Sequence, residues 1–265
     1  MSSPTATKVL LDIDGVLTVS WRPLPGAVDT VRWLRDHGVD FRLVTNTSSL
    51  SRVQIAARLS RAGIHADPDQ IQTAVSSAAD YLADTYPGAA CHFLNQGDVG
   101  TDLGGARLVG PADAEVVLLG GAGPAVGYRE LDAVFKRAIE GVPVVALHRN
   151  TRFQTEEGPS LDMGAFIAGL EAAASIEVPV VGKPAAAFFG AALRSLGAEP
   201  SATVMVGDDL TADVLGAQAV GIGGVLVQTG KFRPADLEGS AGAPDLVIAD
   251  IGRLPGLLEP RSPAE

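Results

Sequence analysis

Short apolar runs alternate with longer amphipathic stretches along nearly the whole chain. Lys8–Leu11 is an apolar run that predicts a strand, and Pro25–His37 carries apolar residues every three or four positions, which predicts a helix. The same patterns predict further strands at Val39–Val44, Cys91–Leu94, Val116–Leu119, Val142–Leu147, Val178–Val181, Ala202–Val206, Gly224–Val227 and Leu246–Ile248. They predict further helices at Ser51–Ala62, Ala74–Tyr86, Tyr128–Glu140, Met163–Ala173, Ala185–Leu196 and Thr211–Ala219.

This alternation of strands and helices predicts an α/β fold built on a parallel sheet, because strands that are apolar throughout are covered on both faces. The stretches 8–47 and 201–230 have polar residues at strand ends, and a long segment with its own strand–helix pattern separates them. We therefore predict a discontinuous core of residues 1–78 and 178–265, with a second domain at 79–177 inserted into it. Residues 260–265 are predicted to be a frayed tail.

Composition limits the possible functions. The chain has 265 residues, of which 46% are hydrophobic, and a net charge of −11. Such an acidic surface repels nucleic acids and anionic membranes, so neither is expected as a partner. One cysteine allows no internal disulfide, no signal peptide is apparent, and no run of about 18 apolar residues predicts a membrane span. These features together predict a cytoplasmic protein.

Paired carboxylates follow two of the predicted strands. Asp12 and Asp14 lie at the end of the first strand, before Gly15, which permits a tight turn. Asp208 and Asp209 follow Ala202–Val206, and oxygen ligands of this kind suit Mg²⁺. Taken alone, the first pair fits a solvated acidic loop equally well, and the second pair fits the capped start of a helix.

Two further polar motifs occupy comparable positions. Thr45 and Asn46 follow a predicted strand, where hydroxyl and backbone N–H groups can hold phosphate oxygens, although a helix N-cap explains them as well. Lys183 stands between a predicted strand and a helix that starts with proline, where it is either a fixed cation or an exposed turn lysine.

In this order, the four motifs resemble those of the haloacid dehalogenase (HAD) superfamily, whose members are mostly phosphatases. The lysine motif and the inserted segment resemble subfamily IIA, in which a C2-type α/β cap interrupts a Rossmann-like core. Within it, the chain is most similar to the phospholysine phosphohistidine inorganic pyrophosphate phosphatase branch, on the stretches Val180–Pro184, Val206–Asp209, Thr229–Pro234 and Leu161–Gly164.

The resemblance implies a Mg²⁺-dependent phosphatase that forms an aspartyl-phosphate intermediate on Asp12, with Asp14 as its general acid and base. It implies that Mg²⁺ is bound by Asp12, the Asp14 carbonyl and Asp208, while Asp209 either ligates the ion or holds its waters. The remaining implied roles are phosphate binding by Thr45, Asn46 and Lys183, orientation by Asp213, and substrate contacts from a cap loop that includes Arg152 and Phe153.

The expected substrate is a small phosphorylated metabolite, such as an aryl, sugar or glycerol phosphate, pyridoxal phosphate or pyrophosphate. Two alternatives remain open at this point. A phosphotransferase or phosphomutase shares all four motifs, and a phospho-receiver or binding protein uses a similar aspartate without turnover. The resemblance also implies a homodimer formed through the cap.

Overall fold

A computed structural model describes residues 7–124, 126–155, 158–238 and 242–258 of this chain. Contacts divide the described residues into two compact units. The first draws on Met1–Thr45, Arg52–Gln72 and Phe188–Glu265, and the second on Asn46–Ser51 and Thr73–Ala187. No helix within the described ranges is long and apolar enough to cross a membrane.

Strands and helices alternate as the hydrophobic pattern predicts. The strands are β1 (Lys8–Asp12), β2 (Thr18–Val19), β3 (Arg22–Pro23), β4 (Asp40–Thr45), β5 (Ile71–Thr73), β6 (Ala90–Leu94), β7 (Arg107–Leu108), β8 (Val116–Leu119), β9 (Val144–Ala146), β10 (Arg152–Thr155), β11 (Gly158–Leu161), β12 (Thr203–Gly207), β13 (Gly223–Val227) and β14 (Leu246–Ile248). The α-helices are α1 (Ala27–Asp36), α2 (Arg52–Arg61), α3 (Ala74–Thr85), α4 (Tyr128–Ile139), α5 (Met163–Ala174), α6 (Ala186–Leu196), α7 (Gly216–Gln218) and α8 (Pro255–Leu258).

The first unit is built on a sheet in which the described strands have the order β14-β13-β12-β1-β4-β5. Strand β1 lies in the middle and pairs in parallel with β12 and β4. Leu10 of β1 packs beneath α6, whose Phe188 and Phe189 are fully buried. Helix α1 is amphipathic and buries Val31 and Leu34. The parallel sheet predicted from the apolar strands is therefore confirmed.

The second unit has a sheet of its own, with the described strands in the order β7-β6-β8-β9. Strand β8 shows how it is covered, because side chains alternate between the two faces of a strand. Val117 and Leu119 lie in a hydrophobic cluster with residues of α4 and α5, while Val116 and Leu118 lie in another with residues of α3. Helices thus cover both faces of this sheet.

The two units differ somewhat from the predicted domain limits of 79 and 177. Ala74, Val75 and Ala78 are buried against the second unit's strands, and so is Val181. The stretches 73–78 and 178–187 are therefore grouped with the second unit by their packing. The predicted frayed tail, 260–265, lies outside the described residues.

Three local predictions need correction. The strand expected at Val178–Val181 is a single bridge between Ala146 and Val180, because Pro179 has no N–H for a continuous ladder. The helix expected at Thr211–Ala219 begins as a π-helical turn at Leu210–Leu215 and ends in α7.

The third correction concerns strands that were not predicted, namely the two short antiparallel hairpins β2–β3 and β10–β11 and the sheet strands β5 and β7. These strands span only two to four residues each, which is too short for an alternation of polar and apolar positions to be recognised.

Candidate active site

The carboxyl ends of three neighbouring strands carry the polar residues of the first unit. Asp12 is the last residue of β1 and pairs in register with Val44, so Thr45 stands one residue further along β4. On the other side, Leu11 pairs with Val206, and Asp208 follows immediately after the end of β12. Parallel register therefore brings the side chains from positions 12, 45 and 208 to one edge of the sheet.

Three buried carboxylates converge at this edge. Asp12, Asp208 and Asp213 are 5%, 1% and 1% exposed, and each offers an oxygen within 4.8 Å of the others. Two unit charges about 4 Å apart repel by roughly 4 kcal/mol at an effective dielectric of 20. A cation that is shared by the three carboxylates would offset this repulsion, and oxygen ligands suit a hard divalent ion.

Glycines make room for this cluster. A methyl group on Gly15, at φ +89°, would overlap with the carboxylate of Asp208, and so would one on Gly230, at φ +62°. A methyl group on Gly207 would likewise overlap with Asp213. The two carboxylates are therefore held in positions that only a backbone without Cβ atoms leaves open. The donor set and this cradle fit a divalent metal ion.

A turn after β13 holds two sides of the cluster together. The Thr229 hydroxyl donates a hydrogen bond of 2.5 Å to the carbonyl oxygen of Gly15. Two residues later, the backbone N–H of Lys231 donates to Asp208 Oδ2 at 2.7 Å. This turn, Thr229–Lys231, thus links the loop that follows Asp12 to the loop that follows β12.

Asp209 has a different environment from its neighbour Asp208. Its Oδ1 accepts hydrogen bonds from the backbone N–H groups of Thr211 and Ala212, which caps the following π-helical turn. Its Oδ2 lies 3.6 Å from Lys231 Nζ. The structure therefore shows Asp209 as a helix cap, and its role at a metal ion stays a prediction.

The cluster changes the titration of Lys231. Burial lowers the pKa of its ammonium group, but the negative charges of Asp208, Asp12, Asp209 and Asp213 outweigh that effect, so the pKa is raised. The side chain is still 64% exposed, and solvent screens part of this attraction. Lys231 remains a cation at neutral pH.

Asp14 and Thr45 are the remaining predicted site residues that belong to the first unit. Asp14 is half-buried in the turn after β1, where Gly15 N–H donates to the Thr18 carbonyl at 2.7 Å. Thr45 is 3% exposed at the end of β4. Their predicted roles, as acid/base and as phosphate ligand, stay predictions.

Asn46 and Lys183 belong to the second unit, where they contact each other. The Asn46 side chain accepts a hydrogen bond from Lys183 N–H at 2.8 Å and donates one to the Lys183 carbonyl at 2.9 Å. Lys183 is 5% exposed. A lysine buried to this extent is not the exposed turn lysine that its motif alone allowed. Its role with phosphate stays a prediction.

The predicted cap residues lie on the hairpin β10–β11. Arg152 is exposed and pairs with Leu161, and Phe153 pairs with Ser160, although its side chain lies outside the described residues. Asp162 follows the hairpin, is buried, and accepts hydrogen bonds from the N–H groups of Ala122 and Met163. Substrate contact by Arg152 and Phe153 stays a prediction.

Two features of the site were not assigned from the sequence. Asp213, expected only to orient other groups, supplies the third buried carboxylate because the π-helical turn directs it back toward Gly207. The contacts of the Thr229–Lys231 turn were also missed, although that stretch contributed to the family resemblance. A hydroxyl and a glycine at the end of a predicted strand are the signal that could have indicated it.

Comparison with known proteins identifies the family. Residues 9–106 match the model of haloacid dehalogenase-like hydrolases, and residues 180–254 match a HAD-hydrolase-like model. Haloacid dehalogenase-like hydrolase domain-containing protein 2 of Bos taurus is 34% identical, over 86% of each chain. Phospholysine phosphohistidine inorganic pyrophosphate phosphatase of Xenopus laevis is also 34% identical, over 86% of this chain and 85% of its own.

Solved structures agree with this assignment. The p-nitrophenyl phosphatase of Archaeoglobus fulgidus superposes with a TM-score of 0.88 at 26% identity, over 94% of this chain and 98% of its own. The 4-nitrophenylphosphatase of Thermotoga maritima has the same fold, with a TM-score of 0.89 at 24% identity, over 97% and 98% of the two chains. This chain therefore belongs to the haloacid dehalogenase-like hydrolase family, and it is a phosphatase within that family.

Proposed function

We propose that this protein is a Mg²⁺-dependent phosphatase that hydrolyses small phosphorylated compounds through an aspartyl phosphate on Asp12. The convergence of buried carboxylate oxygens from Asp12, Asp208 and Asp213 within 4.8 Å carries the proposal. Such a cluster is costly without a cation, and it lies at the carboxyl ends of the strands, where ligands bind in open α/β sheets.

Asp12, Asp208 and Asp213 would hold the metal ion, which when bound would supply positive charge that reduces the repulsion between a carboxylate and a phosphate. A carboxylate oxygen of Asp12 attacks phosphorus, the bond from phosphorus to the leaving oxygen breaks, and that oxygen takes a proton from Asp14. Asp14 then removes a proton from water. The water oxygen attacks phosphorus and breaks its bond to Asp12, which releases inorganic phosphate.

The names of the relatives indicate which substrates to assay first. Two solved relatives are named nitrophenyl phosphatases, and a sequence relative is named for phospholysine, phosphohistidine and pyrophosphate. These names support an assay that starts with p-nitrophenyl phosphate and continues with phosphorylated metabolites. Action in the cytoplasm and dimerisation through the cap stay predictions from the sequence.

Asp12→Asn tests the mechanism directly. This variant loses the nucleophilic oxygen but keeps the shape of the side chain, so turnover of p-nitrophenyl phosphate with Mg²⁺ should fall by at least about a thousandfold. Asp36→Asn is the matched control, because Asp36 is exposed in the same unit and should keep wild-type activity. Lys183→Met belongs in the same assay, where turnover at the wild-type rate would count against a role for Lys183.

The released product separates this proposal from its alternatives. Steady release of inorganic phosphate is expected from the wild type. Transfer of the phosphoryl group to a second hydroxyl without release would indicate a phosphomutase. A burst of phosphoenzyme without turnover would indicate a phospho-receiver, and substantial turnover by Asp12→Asn would refute the mechanism.

A further inference from the structure

The Thr229–Lys231 turn contributes a cation to the carboxylate cluster, and the proposed mechanism gives that cation no role. The Lys231 ammonium group lies 3.6 Å from Asp209 Oδ2, and the Lys231 backbone N–H donates a hydrogen bond to Asp208 Oδ2 at 2.7 Å. The lysine is therefore anchored at the metal site by its main chain. Its charged end lies beside Asp209, the neighbour of Asp208, and is also attracted by the charges of Asp208, Asp12 and Asp213.

Close contacts hold the Thr229–Lys231 turn in place, so the Lys231 backbone has little freedom to move. Gly230 approaches Gly15 so closely that an added methyl group would lie 2.5 Å from the Gly15 Cα. The hydrogen bond from Thr229 to the Gly15 carbonyl fixes the other end of the turn. The position of the Lys231 backbone is thus set from both sides, and its side chain, 64% exposed, can move through solvent.

From this arrangement we propose that Lys231 is a positioning residue that acts as a resident counter-ion of the Asp12–Asp208–Asp213 cluster and competes with the divalent cation. The inference rests on the proposed metal site. In the absence of metal, the ammonium group offsets part of the repulsion among the carboxylates. When a divalent cation binds, two positive groups share one cluster, so the lysine lowers the affinity for the ion.

The expected sign of the effect is unusual for a residue at a metal site. Removing a ligand weakens metal binding, whereas removing a competing positive charge strengthens it. Lys231→Met keeps the aliphatic stem and the backbone N–H that bonds Asp208, and it removes only the charge. An exposed charge–charge interaction contributes about 0.2–1 kcal/mol, so Mg²⁺ should bind Lys231→Met about 1.4-fold to fivefold more tightly than the wild type.

Isothermal titration calorimetry with MgCl₂ on the full chain measures this affinity without any turnover. Lys231→Arg retains the charge and should bind Mg²⁺ like the wild type. Lys8→Met is the matched control, since Lys8 is also paired with an aspartate, Asp40, but lies at the opposite end of β1 from Asp12. Its affinity for Mg²⁺ should equal that of the wild type.

Thermal unfolding gives a second measurement on the same variants. Without Mg²⁺, Lys231→Met should unfold at a lower temperature than the wild type, because one positive charge near the carboxylates is then removed. With saturating Mg²⁺ the difference should shrink, because the ion supplies the missing charge.

Several results would overturn the inference. Mg²⁺ affinity of Lys231→Met that equals or falls below that of Lys8→Met would show that the ammonium does not compete with the ion. A raised KM for p-nitrophenyl phosphate with unchanged Mg²⁺ affinity would make Lys231 a substrate-binding residue instead. Absence of Mg²⁺ binding by the wild type would overturn both this inference and the proposed metal dependence, whereas the first two results leave the proposed function intact.

Discussion

Gly15 offers the sharpest test of how the site is built. It stands between Asp14 and Val16 at φ +89°, and a methyl group added there would lie 2.5 Å from Asp208 Cγ and 3.0 Å from the Gly230 Cα. Asp208 Oδ2 would be nearer still. Ordinary van der Waals contact begins near 3.4 Å, so Gly15→Ala forces the Asp208 carboxylate to move by roughly 1–1.5 Å.

Gly15→Ala should lower both stability and activity, and the two effects can be measured separately. An alanine at positive φ is destabilised by about 1–2 kcal/mol wherever it occurs. Displacement of a site group by about 1 Å can lower activity by about a hundredfold. We therefore expect Gly15→Ala to lose stability by about 1–2 kcal/mol or more and to lose about a hundredfold in kcat/KM.

Gly38→Ala is the matched control. Gly38 has φ +65°, and nothing lies within 4 Å of the point where an added methyl group would stand, so this variant incurs the backbone cost alone. Urea unfolding should show a loss of stability for both variants, at least as large for Gly15→Ala as for Gly38→Ala, whereas phosphatase assays at saturating Mg²⁺ should show a loss of activity for Gly15→Ala alone. Equal activity of the two variants would refute the conclusion that Gly15 makes room for Asp208.

Two further predictions concern stability. Burial raises the pKa of the Cys91 thiol from 9.0 to about 11, so stability that is present below pH 9 is lost as the pH rises through 11, by about 2–3 kcal/mol. Urea unfolding of Cys91→Ala should show a smaller loss between pH 9 and 11 than the wild type, and parallel losses would contradict this. Phe188 is fully buried against the sheet of the first unit, so Phe188→Ala should lower the free energy of unfolding by about 3–5 kcal/mol. Phe232→Ala, at a partly buried position, should cost less than half as much, and equal costs would contradict the packing argument.

Much of the fold follows from local pattern. The apolar run Val116–Leu119 predicts a strand that is buried on both faces, and in the structure its side chains alternate between two hydrophobic clusters. The helix predicted at Met163–Ala173 is present as α5, and its boundaries agree to within a residue. Periodicity reports which faces of an element are buried, and burial is what stabilises each element in the sheet.

Local pattern was less informative where packing overrides it. Val178–Val181 has the composition of a strand, but Pro179 limits it to one bridge. Asp208 and Asp209 are adjacent in the sequence and equivalent in charge, yet one joins the buried cluster and the other caps the π-helical turn. Which of two neighbouring aspartates turns inward depends on the path of the backbone after β12, and that path depends on contacts with distant residues.

The sequence by itself determined the alternating α/β architecture, the family, and the positions of Asp12 and Asp208 at strand ends, because each depends on residue types at short spacing. Only the tertiary structure decided that Asp213 completes the buried carboxylate cluster and that Thr229 and Lys231 hold it in place. These residues come from separate segments of the chain, and parallel strand register brings them together. The close approach of Gly15 and Gly230 to Asp208 is likewise a property of packing, which no local stretch of sequence contains.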